Sequence, residues 1–201
     1  MQEIFYEESA TIVNEKSATF KYNAFRFLSI ISYFFIFIWL LIVFVAYPLD
    51  NFSFIDVIII LLPIVMFVFS GVFFGKVKQK SYVEYDYTFV TGSIRIAKIF
   101  KNIKRKFLLK FEARDVEKLG KYDSATYKTY ENMPGINKII LTSNLSPADN
   151  KDFYYIAVNT DGEKKLLIFE CTETFISNVL KFSNKTVIDD DFRKDLLNTK
   201  R

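Results

Sequence analysis

LSIISYFFIFIWLLIVFVAY, residues 28–47, and FIDVIIILLPIVMFVFSGVFF, residues 54–74, decide how this chain is organised. The first is apolar apart from Ser29, Ser32 and its two tyrosines. At about 1.5 Å of rise per residue it just covers a hydrocarbon core of about 30 Å. A water-soluble helix seldom runs so far without a polar face. The second stretch is of similar length, and its single charge, Asp56, lies close enough to one end to reach lipid headgroups. Pro48, Asp50 and Asn51 make the turn between them, and so short a link forces two antiparallel neighbouring helices.

Working outward, no Lys or Arg occurs between Phe27 and Gly75. Lys16, Lys21 and Arg26 precede the first stretch, Lys76, Lys78 and Lys80 follow the second, and the connecting loop has none. Basic residues favour the cytoplasmic side, so the expectation is a two-span protein of the cell membrane with both termini cytoplasmic. Tyr47 and Phe52 to Phe54 then lie at the opposite interface. A cleaved signal peptide fits poorly, because the preceding segment is acidic, the apolar run is too long and no small-x-small site follows. The patterns at Asn51-Phe52-Ser53, Asn144-Leu145-Ser146 and Asn184-Lys185-Thr186 are read as chance matches to a glycosylation site. Pro63 removes a backbone donor in mid-helix and bends it. Gly71-x-x-x-Gly75 offers a small-residue face for helix contact and, through it, self-association, although glycine at position 75 also suits a plain helix end.

The expected organisation is therefore a cytosolic segment over residues 1–26 and a membrane hairpin over 27–75. A water-soluble domain follows over 76–188, then a charged tail over 189–201. From Lys76 onward there are 24 Lys and Arg against 17 Asp and Glu, so attraction to anionic partners rests with this part. The chain has no histidine, the commonest general base and metal ligand, which disfavours most hydrolytic and metal-dependent chemistry. Its one cysteine, Cys171, cannot close an intramolecular disulfide.

From Ser81 the apolar residues fall into period two, the pattern of strands with one buried face. Val83, Tyr85, Tyr87 and Phe89 alternate with Glu84, Asp86 and Thr88; Thr91-Gly92 turns the chain, and Ile94 and Ile96 return it. A basic turn, Lys101 to Lys106, leads to a third strand with Phe107, Leu109 and Phe111 inward. Arg114 to Tyr122 reads as a short helical turn stopped by Gly120, followed by a polar loop to Gly135. Residues 136–142, 153–159 and 164–171 suggest three more strands, the last two joined at Thr160-Asp161-Gly162. After Thr172 the spacing of Phe175, Ile176, Val179 and Leu180 is that of an amphipathic helix able to plug a curved sheet. A further turn is read around Phe192, Leu196 and Leu197. The fold class is a membrane α-helical hairpin plus a mainly-β cytosolic domain, a small antiparallel barrel of pleckstrin-homology type capped by a C-terminal helix.

Several features carry a resemblance: the order of two membrane helices, Tyr85-Asp86-Tyr87-Thr88-Phe89 with Gly92-x-Ile94-x-Ile96, Lys104-Arg105-Lys106, and Gly120-Lys121-Tyr122. Together they resemble a group of small membrane proteins of Firmicutes with a domain of unknown function, themselves similar to bacterial membrane proteins with pleckstrin-homology-like domains. By motif the resemblance covers Ser81 to Tyr122, and elsewhere only the layout. It implies the fold above and a bacterial source, and carries over no catalytic residue.

No phosphate-cradling glycine loop, nucleophile elbow, paired-cysteine spacing or Ser/His/Asp set is present. No cofactor is expected. Asp189, Asp190 and Asp191 read as the solvated start of a helix, not a metal site, and Cys171 as a buried structural thiol. Lys98, Lys101, Lys104, Arg105 and Lys106 gather at one hairpin turn and are the candidate contact for anionic headgroups. Nucleic acid fits them less well, because Phe100 and Phe107 alternate as core residues, not as a stacking platform. Tyr122, Tyr127 and Tyr130, in a long loop, are the candidate protein-binding residues. The expectation is a non-enzymatic membrane-anchored binding or scaffolding module. The alternative is an accessory subunit of a transport or export complex.

Overall fold

The computed structural model describes residues 3–46, 53–101, 103–160, 162–189 and 192–193. The turn residues Pro48, Asp50 and Asn51, the interface residues Tyr47 and Phe52, Asp161, Asp190, Asp191 and the tail with Leu196 and Leu197 lie outside these. The chain divides into two units, residues 14–82 and the residues on either side of them.

The first unit is a helical hairpin. Helix α1 spans Glu15–Ala46 and α2 spans Phe54–Lys80, and both are long and apolar enough to cross a membrane. Asn14 starts α1 well ahead of the apolar run, its side chain accepting from the Ser17 amide at 3.1 Å. Ser53 starts α2, and the Ser53 amide donates back to Asp56 at 2.9 Å. The lone carboxylate of the second apolar stretch is thus half of a capping box. Phe34, Phe44, Phe69 and many like them point outward from the pair. So large a continuous apolar surface suits hydrocarbon rather than water and supports a two-span membrane protein.

The helices touch through small polar groups. Ser29 Oγ donates to the Gly71 carbonyl at 2.8 Å, and Ser32 Oγ lies 3.1 Å from Ser70 Oγ. The indole of Trp39 donates to the Ile60 carbonyl at 3.1 Å, in the turn whose hydrogen-bond ladder Pro63 interrupts. A β-carbon at Gly71 would come within 2.8 Å of the Tyr33 ring. The small-residue face is therefore used inside the hairpin at Gly71, whereas Gly75 has looser neighbours, the nearest being Ser29 Oγ at 3.7 Å.

The second unit holds two four-stranded sheets. The N-terminal residues belong to it and do not form a separate segment. Strand β1 (Phe5–Ala10) pairs antiparallel with β2 (Val83–Val90), from Phe5↔Val90 to Ala10↔Tyr85. The alternation of β1 escapes a hydropathy reading because one of its inward residues is a carboxylate, Glu8. Since β1 precedes the hairpin and β2 follows it, the hairpin is an insertion between two adjacent strands, and the chain leaves and returns on one side of any bilayer that the helices cross. Thr91 and Gly92, both with positive φ, turn β2 into β3 (Ser93–Phe100), which pairs with β4 (Lys104–Glu112).

The second sheet runs in the order β5-β7-β8-β6, built from Val116–Lys121, Asp152–Thr160, Glu163–Cys171 and Asn137–Ile140. The expected helical turn before Tyr122 is a single 3-10 turn at Ala113–Asp115 followed by strand β5. A register shift between Val116 and Lys118 lets Val116 and Leu119 both face the core, so a bulged strand mimics helical spacing. β6 pairs with β8 in parallel, not antiparallel. The pairings make two separate sheets and do not close into a barrel.

The core lies between the inner sheet faces. Tyr87, Phe89, Ile94 and Ile96 of one sheet share a cluster with Leu119, Tyr154, Ile156, Leu167 and Phe169 of the other. Helix α4 (Glu173–Phe182) adds Phe175, Ile176 and Val179. Tyr87, Phe169 and Phe175 form a ring triad with centroids 5.0–5.8 Å apart. Full burial of side chains this size contributes about 1.5–3 kcal/mol each.

Candidate binding surfaces

The loop after β6 fastens the chain on both sides of the inserted hairpin. Asn144 donates from its side-chain amide to the Thr11 carbonyl at 2.7 Å and accepts from the Val13 amide at 3.0 Å. Ser143 Oγ donates to the Val83 carbonyl at 2.7 Å. Two consecutive side chains thus hold both strands that connect to the helical hairpin. The loop itself is anchored on Glu170, wholly buried, which accepts from Thr142 Oγ1, Asn144 Nδ2 and the Ala148 amide. The Asn144 amide nitrogen is thus engaged by both Thr11 and Glu170.

β1 is held by a second set of polar contacts. Glu8 accepts from the Thr172 amide at 2.9 Å and its hydroxyl at 3.0 Å, and Lys151 Nζ stands 3.5 Å from Glu8 and donates to the Ser9 carbonyl at 2.5 Å. The inward carboxylate is therefore compensated, as a buried charge must be.

The same loop lines an open groove of about 330 Å³ on the outer face of the second sheet. Tyr122, Phe153 and Ile140 form its apolar walls with Leu145, which is completely exposed at its rim. Beside it, the expected polar loop contains helix α3 (Ala125–Glu131), capped by Ser124, whose Oγ accepts from the Tyr127 amide at 3.1 Å.

The three sequence-selected tyrosines have different fates. Tyr127 is buried against Tyr155, Ala157, Leu166 and Ile168 and is a core residue, not a contact residue. Burial is the main cause that pushes its hydroxyl up to about 12; the neighbouring Lys138 opposes the shift, and the hydrogen bond to Glu131 at 2.8 Å adds to it. Tyr130 packs at the edge of this cluster, and burial raises its pKa too. Only Tyr122 remains open to a partner, its ring 4.7 Å from that of Tyr127.

Asp189 is likewise no tail residue. It is buried and accepts from Ser124 Oγ at 2.8 Å, Thr126 Oγ1 at 2.9 Å and the Tyr155 hydroxyl at 3.2 Å, while its own amide donates to Leu119. Gly120 makes room for it, since a β-carbon there would stand 2.7 Å from that of Asp189. Phe192 is buried beyond it, its ring 5.5 Å from that of Tyr154.

The five basic residues also divide. Arg105 is an internal partner: it pairs with Asp86 at 2.8 Å and with Glu7 at 3.1 Å across the outer face of the first sheet. Lys98 lies over the rings of Tyr85 and Phe100 at 5.6 Å. Lys101 occupies the turn with φ of 45°. Lys104 and Lys106 are exposed. Phe107 corrects the sequence reading, being 62% exposed instead of buried. β4 carries one extra residue, Leu108, between the pairs Ile96↔Leu109 and Ala97↔Phe107, and this bulge turns Phe107 to the outer face. Cys171 is fully buried, and desolvation raises its thiol well above the usual range, leaving it a structural residue.

No curated protein and no solved structure matches the chain. A family model described as a bacterial PH-like domain (DUF6106) matches residues 3–189, from the first strand through the inserted hairpin to the buried Asp189. The chain belongs to this bacterial PH-like domain family.

Proposed function

We propose that this protein is a non-enzymatic binding module anchored in the cell membrane, which engages a protein partner at the cytoplasmic face. The observation that carries the reading is a PH-like domain interrupted by a membrane-type hairpin, with an apolar groove on the loop that fastens both hairpin connections. PH-like domains are typically binding scaffolds, which supports a binding role over an enzymatic one. The cytoplasmic placement rests on the basic residues that flank both helices. The partner presents apolar side chains to Tyr122, Ile140, Leu145 and Phe153. Because Thr142 to Leu145 line the groove while Ser143 and Asn144 hold the hairpin connections, occupancy of the groove stiffens those connections.

Affinity purification of the full chain from native membranes in mild detergent tests this. The expected result is a stoichiometric partner that Leu145→Glu and Ile140→Glu release. A chain recovered alone, or a partner retained by both variants, overturns the groove assignment. Reporter fusions that place the C-terminus outside the cell overturn the orientation.

A further inference from the structure

We propose that the free end of the β3–β4 hairpin is a second attachment to the bilayer, made through anionic phospholipid headgroups. This inference is independent of the groove and its partner. Ile103, Lys104, Lys106 and Phe107 carry it. Ile103 is 81% exposed and Phe107 62%, and both stand beside cations at the end of one strand pair. Phe107 is outward only because of the bulge at Leu108, so its exposure is built into the backbone and is not a fluctuation of the side chain.

Two of the charges at this end are left uncompensated. Among the described residues the side chains of Lys104 and Lys106 have neither an ion pair nor a hydrogen bond. Lys106 lies directly opposite Lys98 in the ladder. Like charges at paired positions destabilise a sheet, so an anion beside Lys106 is favoured. Arg105, the neighbour that does have carboxylate partners, is spent on the sheet and takes no part.

Charge complementarity selects an anionic ligand, and the exposed Ile103 and Phe107 select one with an apolar layer beneath the charge. A leaflet provides both. Each lysine near an anionic surface strengthens contact roughly fivefold. A nucleic acid would want several exposed aromatic faces for stacking, whereas Phe107 is the single exposed ring among the described residues of this hairpin and the outermost apolar residue is an isoleucine. The chain also carries its own tether, so the leaflet is always at high local concentration and weak contacts suffice.

The test uses the full chain in nanodiscs of phosphatidylcholine alone or mixed with phosphatidylglycerol. Ile103→Cys takes an environment-sensitive fluorophore selectively, because Cys171 is buried. Expected is a blue-shifted emission, quenched by brominated acyl chains, in the anionic discs only. High salt reverses the shift in the otherwise unaltered chain, and Lys104→Glu with Lys106→Glu abolishes it. The same label at Glu163→Cys, on the β7–β8 turn, stays unshifted. Identical emission in both kinds of disc overturns the proposal, as does a shift that survives the double charge reversal. A shift produced by single-stranded DNA or poly-glutamate over neutral discs, with none from anionic lipid, overturns it in favour of a different partner.

Discussion

The side-chain amide of Asn144 donates to both carboxylate oxygens of Glu170, at 3.0 and 2.8 Å, and so ties the departure of the membrane hairpin to a strand in the opposite sheet. Glu170 is wholly buried. Glu170→Ala leaves three donors unsatisfied and costs about 2–4 kcal/mol, read as a lowered unfolding midpoint of the purified chain. Asn144→Ala acts more locally: hydrogen exchange at the Val13 amide, which Asn144 accepts, accelerates while exchange in β7 does not.

In the hairpin, Gly71→Leu drives a side chain into the Tyr33 ring and destabilises the helix pair by about 1–3 kcal/mol. Tyr33→Ala in the same chain restores much of the loss. Gly75→Ala is tolerated, since its nearest neighbour leaves ordinary contact distance. Trp39, the single tryptophan, bridges both helices and reports all three by its fluorescence during detergent unfolding. If Gly71→Leu weakens self-association and leaves the hairpin intact, the assignment within one chain is wrong.

Arg105 and Lys106 are adjacent and opposite in kind. Arg105→Glu places a carboxylate against the nearly buried Asp86, while the arginine itself is half-exposed, so the loss is about 1–3 kcal/mol after allowance for screening. Lys106→Glu changes stability by no more than about 0.5 kcal/mol. Chemical denaturation of the two variants side by side separates the structural cation from the free one.

Tyr127 has its pKa raised from 10.0 to about 12, chiefly by burial, so the folded chain favours the neutral phenol. The folded state binds more protons than the unfolded state between these values. Its contribution to stability is therefore full below pH 10 and is lost as pH rises toward 12. Tyr127→Phe flattens this part of the stability curve. Buried Tyr87, Tyr154 and Tyr155, whose pKa values are also raised, keep the remainder.

Gly120→Ala meets Asp189 and the Tyr155 ring at under 3 Å and expels the Ile188–Asp189 segment from the edge of β5. Limited proteolysis then cuts after the C-terminal helix, where the unaltered chain resists.

Much of this fold is visible in local patterns. The two apolar runs, the alternation of β2 and β3, the Thr91-Gly92 turn and the spacing of α4 each depend on neighbours within one element, so they survive in the linear order of residues. The binding surfaces are far less legible. Val116 and Leu119 are three apart on a bulged strand and look helical; Phe107 sits in an alternating run and looks buried. Whether a bulge occurs depends on the partner strand, which period-two counting does not contain.

The sequence by itself determined that two helices are fit for a membrane, that a mainly-β domain accompanies them, and that a helix follows the last strand. Only the tertiary structure decided that β1 completes a sheet across the inserted hairpin, that Asp189 and Tyr127 are internal, and that Arg105 is spent while Lys104 and Lys106 are not. The reason is physical. Hydrophobic periodicity encodes which face of an element is buried, but a polar side chain carries no mark of its partner. Glu8, Glu170 and Asp189 could be buried only because residues distant in the chain bring hydroxyls, amides or an ammonium to meet them.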